Sequence, residues 1–254
     1  MRLRLTFACE EGKTLVYNYN HYLVDMINRA MRQTCGDLRT SNRCVGMYTF
    51  SQLYLSQYCV GTEGIVNLGH SVEWFVSSVH GFFLEQLVEG LRKLPGYKLN
   101  GFPIEFKEVT TLSEPEYTEA MEFSCMSPLT VFAPKSSAGR ARYLRLEEGE
   151  YVQGIRQNLV EKYRWLHGQD PDNQELNFQF NTRYISNKSR VSRLIDFRGF
   201  RILGYMVPFV VTGSPELIKI GYQMGFGHKN EYGFGMVKMW YRPGTATQSL
   251  EERI

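Results

Sequence analysis

Four glycines within eleven residues near the C-terminus form the most specific chemical pattern in this sequence. They are Gly225, Gly227, Gly233 and Gly235. Glycine allows a backbone to approach a ligand closely, and a group of exposed N–H groups can bind phosphate. His228 and Lys229 lie between the glycines. The stretch therefore predicts contact with a phosphate-bearing ligand, and the alternative is a β-connection that aromatic residues anchor to the core.

The glycine-rich loop differs from the two common nucleotide-binding glycine motifs. A Walker loop has Gly-Lys-Ser/Thr at the start of a helix, and a dinucleotide fingerprint also leads into a helix, whereas this loop continues into a predicted strand. The helix predicted at 215–224 directs its C-terminal end at the loop, so its dipole does not attract phosphate. Lys229 and nearby N–H groups must supply the positive potential. Phe226, Tyr232 and Phe234 either stack on bases or anchor the loop.

A second chemical pattern lies at 183–201, which has six basic residues and one acid. The six basic residues are Arg183, Lys188, Arg190, Arg193, Arg198 and Arg201. The local net charge of +5 exceeds the +3 of the whole chain. Aromatic residues lie among the charges, and this mixture favours an RNA backbone with stacked or splayed bases. The alternative is a solvated hairpin whose charges serve solubility.

Hydrophobic periodicity places both patterns in the second of two similar halves. The predicted helices are 19–33, 82–94, 149–167 and 215–224, and predicted strands include 175–184 and 235–241. Each half then runs strand, helix, two strands, helix, strand. This order predicts an α+β fold of two tandem ferredoxin-like (βαββαβ) domains with antiparallel sheets. Because Ser, Glu and Pro cluster at 113–119, we place the domains at 1–115 and 116–254.

Composition excludes several classes of protein. Hydrophobic residues make up 43 % of the chain and charged residues 22 %, which is an ordinary globular balance. The five cysteines have no CxxC spacing, so we expect no zinc site and a reduced, cytoplasmic protein. No stretch approaches 18 uninterrupted apolar residues, and the first residues lack the apolar core of a signal peptide, so no membrane partner is expected.

The stretch 218–237 resembles the C-terminal signature of the Cas-six family, the CRISPR repeat-processing endoribonucleases of the RAMP superfamily. The glycine pattern, Lys229 and the trailing Met236 and Val237 match its usual form. Three further segments resemble the first-helix opening, the following strand and the strand that enters the second domain: 17–27, 48–51 and 126–131. The similarity touches both halves, and its last segment is the most specific.

This resemblance implies a substrate, a reaction and a set of partners. The family fold is two tandem ferredoxin-like domains, and its members cleave CRISPR repeat RNA without a metal or other cofactor. A ribose 2′-OH attacks the adjacent phosphate and leaves a 2′,3′-cyclic phosphate and a 5′-OH. The glycine-rich loop, with His228 and Lys229, and the six basic residues of 183–201 are the expected RNA contacts. CRISPR effector-complex proteins and a second copy of the chain are further expected partners.

The catalytic residues of the family are only partly matched. Many members have a general-base histidine between the first helix and the next strand, but 36–48 contains none, and Asn28 replaces a common tyrosine. His21 is the expected substitute because its imidazole titrates near neutral pH. Lys229 is expected to neutralise the scissile phosphate or hold the RNA. The alternative for His21 is a packing or capping role.

Two other functional hypotheses remain open at this point. The missing histidine favours a non-catalytic RNA-binding relative, such as a scaffold subunit of a CRISPR effector complex. Binding and cleavage can separate, since affinity comes from phosphates and stacking whereas rate comes from the groups around one phosphate. A plain ferredoxin-like protein-interaction domain leaves both the basic segment and the glycine-rich loop unexplained.

Overall fold

The computed structural model describes residues 1–35, 47–133 and 142–240. The strands of the first half are β1 (Arg2–Cys9), β2 (Thr14–Val16), β3 (Tyr48–Phe50), β4 (Tyr54–Leu55), β5 (Tyr58–Val60), β6 (Gly64–Asn67), β7 (Ser71–Ser78), β8 (Tyr97–Leu99) and β9 (Phe102–Leu112). Its helices are α1 (Asn20–Arg32) and α2 (Gly81–Lys93).

The main sheet of the first half has the strand order β3-β7-β1-β9-β8, and β4 also pairs with β7. Every pair is antiparallel. Helices α1 and α2 pack together so closely that a Cβ added at Gly90 would lie 2.1 Å from the Ala30 carbonyl oxygen. Glycine at this position therefore lets the two helix backbones touch. Strands β2, β6 and β5 form a separate three-stranded sheet.

The second half repeats the arrangement with one insertion. Its strands are β10 (Ala120–Cys125), β11 (Leu176–Phe180), β12 (Ser192–Phe197), β13 (Phe200–Tyr205), β14 (Phe209–Gly213) and β15 (Val237–Met239). Its helices are α3 (Glu150–His167), α4 (Thr182–Asn187) and α5 (Pro215–Met224), followed by a 3₁₀ turn at Asn230–Tyr232. The antiparallel sheet has the order β11-β14-β10-β15, and β12 and β13 form a hairpin between β11 and β14.

The predicted pair of ferredoxin-like units is confirmed. In each sheet the first and third strands of the βαββαβ pattern are central neighbours: β1 with β7, and β10 with β14. Helix α5 begins as the sequence predicts, because the Ser214 hydroxyl accepts a 3.4 Å hydrogen bond from the Leu217 N–H and Pro215 follows. The boundary between 1–115 and 116–254 stays a prediction.

Two predicted strands are longer than the observed ones. The strand predicted at 175–184 ends at Phe180, because the Asn181 side chain accepts the Tyr184 N–H at 2.8 Å and starts α4. The strand predicted at 235–241 is observed only as β15, and Tyr241 lies outside the described residues. No helix in the three described ranges is long and apolar enough to cross a membrane.

Candidate nucleic-acid interface

The glycines of the glycine-rich loop (residues 225–235) are required by its backbone. All four have positive φ: 90° at Gly225, 72° at Gly227, 83° at Gly233 and 79° at Gly235. L-residues with a side chain rarely adopt this conformation. All four are also buried, and a Cβ at Gly235 would lie 2.1 Å from the carbonyl oxygen of Phe226. The close approach predicted for a ligand is here an approach to the protein's own backbone.

The loop uses many of its N–H groups to hold its own shape. The Phe226 N–H donates to the Gly235 carbonyl at 2.9 Å, and the Gly235 N–H donates to the Pro128 carbonyl at 2.8 Å. The His228 N–H donates to the Thr130 carbonyl at 2.9 Å. The predicted phosphate nest is therefore not formed by these groups. The placement of the four glycines favours a role in shaping the loop over direct contact with a ligand.

The three aromatic residues of the loop have different roles. Phe226 and Phe234 are fully buried, so they anchor the loop, which is one of the two alternatives that the sequence left open. Tyr232 is only half-buried, and its ring stacks on Phe197 with 4.5 Å between the ring centroids. Among these three aromatic residues, Tyr232 alone has a face near the surface.

Lys162 of α3 forms hydrogen bonds with the loop. The sequence analysis did not identify it as a residue of the site. Its Nζ donates to the Gly225 carbonyl at 2.7 Å, the Gly227 carbonyl at 2.9 Å and the Asn230 Oδ1 at 2.7 Å. Burial lowers the pKa of Lys162 to about 7. A signal did exist, because Lys162 lies three residues after buried Leu159 on the apolar face of the helix.

The loop lies where the two halves of the chain meet. The Asn20 side chain, at the start of α1, donates to the Tyr232 carbonyl at 2.9 Å. The Thr49 hydroxyl on β3 donates to the Phe234 carbonyl at 2.9 Å. The conformation of the loop therefore depends on elements of both ferredoxin-like units.

The basic segment begins in α4, which contains Arg183, and ends in the β12–β13 hairpin, which contains Arg193, Arg198 and Arg201. Lys188 and Arg190 lie between α4 and β12. Arg198 and Gly199 form the two-residue turn of the hairpin, with φ values of 55° and 86°, as a type I′ turn requires. The Asp196 carboxylate accepts the Gly199 N–H at 2.7 Å and stabilises this turn. Both Ile195 and Ile202 are buried beneath the hairpin. The hairpin thus presents an apolar face to the protein and its charges to solvent.

Contacts with α1 and with Asn18, just before it, hold the tip of the hairpin. The Arg198 Nη2 donates to both Asp25 carboxylate oxygens, at 2.5 and 2.7 Å. The Asn18 side chain accepts the Asp196 N–H at 3.0 Å. Phe197 lies between His21, at 6.1 Å between ring centroids, and Tyr232. The structure therefore brings the basic segment, the first helix and the glycine-rich loop together.

All six predicted basic contacts are exposed: Arg183, Lys188, Arg190, Arg193, Arg198 and Arg201. Within the three described ranges, Arg198 is the one of these six that forms an ion pair, with Asp25. Two apolar side chains of the hairpin are also exposed, Phe200 to 74 % and Leu194 to 58 %. An exposed aromatic ring beside several guanidinium groups is a surface on which a base can stack next to its phosphates.

His21 is half-buried against the hairpin. Its Nδ1 is buried and has no hydrogen-bond partner among the described residues. Burial and the nearby Arg198 charge lower the pKa of His21, while the Asp25 and Asp196 carboxylates act in the opposite direction. The imidazole is therefore neutral near pH 7, which is the form that a general base needs.

Replacing Arg198 by glutamine is expected to raise the pKa of His21, because it removes a positive charge that disfavours the imidazolium. An NMR titration of the imidazole C–H signals would measure this. The matched control is Arg193→Gln, since Arg193 is not among the charges that act on His21. An unchanged or lower pKa in Arg198→Gln would contradict the described packing of the hairpin on α1.

The neighbouring loop residues His228 and Lys229 have different electrostatic states. Burial, with the charges of Lys162 and Lys229, lowers the pKa of His228 to about 4, so this predicted contact carries no charge at neutral pH. Lys229 has φ of 60°, and its Nζ lies 5.0 Å from the Tyr232 ring centroid and 5.3 Å from that of Phe132. No residue in the described part of the chain forms an ion pair with Lys229.

The two predicted catalytic residues, His21 and Lys229, are linked through two aromatic rings, and no hydrogen bond between them occurs among the described residues. Phe197 and Tyr232 connect them as a row of neighbouring rings. Most of 36–48, where the resembled family has its histidine, lies outside the described residues.

Comparisons with known proteins agree on one family. The sequence model of CRISPR associated protein Cas6, C-terminal, matches residues 112–239. The CRISPR-associated endoribonuclease Cas6 of Pyrococcus furiosus is 26 % identical over 250 residues, which cover 94 % of this chain and 88 % of that protein. An endoribonuclease-like protein Cas6 of the same organism is 25 % identical over 236 residues, covering 91 % of this chain and 94 % of the relative.

A solved structure shows the same fold. It is described as a Cas6-related gene product from Pyrococcus furiosus, and it superposes with a TM-score of 0.83 at 21 % identity. The match covers 96 % of this chain and 99 % of the other. The family model includes the glycine-rich loop, the β12–β13 hairpin and Lys162, and it spans half of the sequence. The chain therefore belongs to the Cas6 family.

Proposed function

We propose that this protein binds CRISPR repeat RNA and cleaves it by metal-independent attack of a ribose 2′-OH. The observation that carries the proposal is the family match, which includes both the glycine-rich loop and the exposed basic hairpin. A relative with 26 % identity over most of the chain is named an endoribonuclease. Effector-complex proteins and a second copy of the chain remain expected partners.

The RNA-binding surface that we propose consists of the basic hairpin and the half-buried edge of the glycine-rich loop, which contains Lys229 and Tyr232. The exposed guanidinium groups, Arg193 and Arg201 among them, contact phosphates, and Phe200 stacks on an unpaired base. Lys229 supplies a positive charge that has no carboxylate partner in the described structure. The buried glycines contribute through the shape of the loop.

The proposed chemistry uses the two linked residues His21 and Lys229. Neutral His21 accepts the proton of the 2′-OH while the 2′-oxygen forms a bond to the adjacent phosphorus. The bond between phosphorus and the 5′-oxygen breaks, and that oxygen receives a proton from a water molecule while His21 returns its proton to solvent, which gives a 2′,3′-cyclic phosphate and a 5′-OH. Lys229 stabilises the additional negative charge on the phosphate oxygens. For both residues to act, the scissile phosphodiester must lie within reach of both side chains.

A non-catalytic RNA-binding protein is the second candidate function. Two aromatic rings in succession link His21 to Lys229, but no hydrogen bond joins these two side chains among the described residues, which leaves an acid–base pair unassembled. A relative with 25 % identity is named endoribonuclease-like. A protein with this function would bind RNA through the same surface but would not cleave it.

The salt dependence of binding tests the RNA-binding part of the proposal. With roughly six phosphates neutralised on single-stranded RNA, the slope of log affinity against log salt is expected near −4. The double substitution Arg193→Gln/Arg201→Gln removes two exposed charges and is expected to reduce the magnitude of this slope by about 1.4. Fluorescence anisotropy over a series of salt concentrations measures both values.

The matched control for this test is Arg92→Gln/Lys93→Gln, which removes two exposed charges at the end of α2. Its slope is expected to equal that of the wild type. A wild-type slope near zero, or the same reduction in the control, would reject the hairpin as the RNA-binding surface.

A further inference from the structure

The Lys162 ammonium group is surrounded by oxygen atoms of the glycine-rich loop. Its three acceptors belong to Gly225, Gly227 and Asn230, all between 2.7 and 2.9 Å away. A charged lysine has three N–H donors and no acceptor, so the three loop oxygens match its full hydrogen-bonding capacity. The group comes from α3, an element otherwise outside the loop. The residue as a whole is half-buried, and its ammonium group is directed at the loop oxygens.

The oxygens that Lys162 binds belong to residues at which the loop backbone changes direction. Gly225 and Gly227 have positive φ, and Asn230 begins the 3₁₀ turn that leads to Tyr232. The Asn230 Nδ2 donates to the Phe234 carbonyl at 2.9 Å, so Lys162 and Asn230 together connect the two arms of the loop. Lys229, whose side chain reaches the surface, lies between these fixed points.

We propose that Lys162 is a positioning residue, whose ammonium group fixes the glycine-rich loop in the conformation that presents Lys229 and Tyr232 to RNA. Lys162 makes no contact with the RNA itself. The link to RNA rests on the proposed function, whereas the hold on the loop does not. The carboxylates that favour its charged form are Glu231 in the loop and Glu161 on α3.

The first test of this role is amide hydrogen exchange in Lys162→Met, which keeps the length of the side chain and removes its donors. The N–H groups of Phe226, His228 and Gly235 are expected to exchange roughly tenfold faster or more, because three buried oxygens lose their partner. The amides of β1 and β7 are expected to be unchanged. The matched control is Lys219→Met, which removes an exposed lysine of α5 and should alter neither set.

The second test asks whether Lys162 acts through the residues that it positions. Lys162→Met is expected to weaken RNA binding by roughly tenfold in the wild-type background. In the Lys229→Ala/Tyr232→Ala background it should cause no further loss, because the groups that it positions are absent. A general loss of folding would reduce affinity by the same factor in both backgrounds.

The outcomes separate this inference from the proposed function. Faster exchange in the loop alone, together with the non-additive loss of affinity, would support it. Unchanged exchange, or equal losses in the two backgrounds, would overturn it. If the wild type fails to bind RNA, the proposed function falls, and the exchange measurement still decides whether Lys162 holds the loop.

Discussion

Replacing His21 by alanine is expected to slow the cleavage of CRISPR repeat RNA by about 10²- to 10⁴-fold, the usual contribution of a positioned general base. The reason is that the neutral imidazole of His21, which extends from α1 and is half-buried against the hairpin, is the proposed acceptor of the 2′-OH proton. RNA affinity is expected to change little, because His21 is uncharged near pH 7 and binding depends mainly on the exposed cations.

Single-turnover cleavage rates and equilibrium binding of the same RNA measure the two effects separately. The matched control is His70→Ala, since the His70 side chain is 82 % exposed and lies beside Glu11. If His21→Ala cleaves as fast as His70→Ala, the assignment of His21 as the base is wrong.

Replacing Gly233 by alanine is expected to lower the free energy of unfolding by roughly 2 to 4 kcal/mol, through a left-handed backbone penalty and overpacking. The residue has φ of 83°, and an added Cβ would lie 2.3 Å from the Phe50 ring and 2.8 Å from the Asn20 amide. Both neighbours belong to the first ferredoxin-like unit, so the clash strains the junction between the units. Urea unfolding followed by circular dichroism measures the change.

A substitution at a second glycine, Gly12, separates the cost of backbone strain from the cost of a steric clash. Gly12 has φ of 78°, yet an added Cβ there would meet no atom within 4 Å. Gly12→Ala is therefore expected to cost only the backbone penalty of roughly 1 to 2 kcal/mol. Equal losses in the two variants would contradict the close packing of the glycine-rich loop against Phe50 and Asn20.

Helices and the general fold could be predicted from the sequence because their signals are local. The apolar spacing of α1 and the Ser214-Pro215 start of α5 lie within a few residues of the elements that they specify. The strand predicted at 175–184 is too long, because the sequence analysis overlooked the local cap by which Asn181 starts α4. Local chemistry decides the ends of elements, so an overlooked cap shifts a boundary.

The site could be predicted only in part because its contacts join distant segments. The sequence indicates that 183–201 is basic, but the bond between Arg198 and Asp25 joins positions 173 residues apart. Likewise, the four glycines indicate that the loop backbone lies close to another group, but they do not show whether that group is a ligand or another part of the protein. The apolar face of α3 marks Lys162 as unusual, but Lys162 stands 63 residues before the first carbonyl that it binds, and no local pattern connects these two positions.

The central claim is most directly tested by incubating the protein in EDTA with labelled CRISPR repeat RNA, alongside the same RNA with one 2′-deoxy substitution at the cleavage position. The account predicts cleavage of the all-ribose RNA alone, with a 2′,3′-cyclic phosphate and a 5′-OH at the new ends. Binding of both RNAs without cleavage of either would contradict the proposed chemistry and favour a non-catalytic RNA-binding protein.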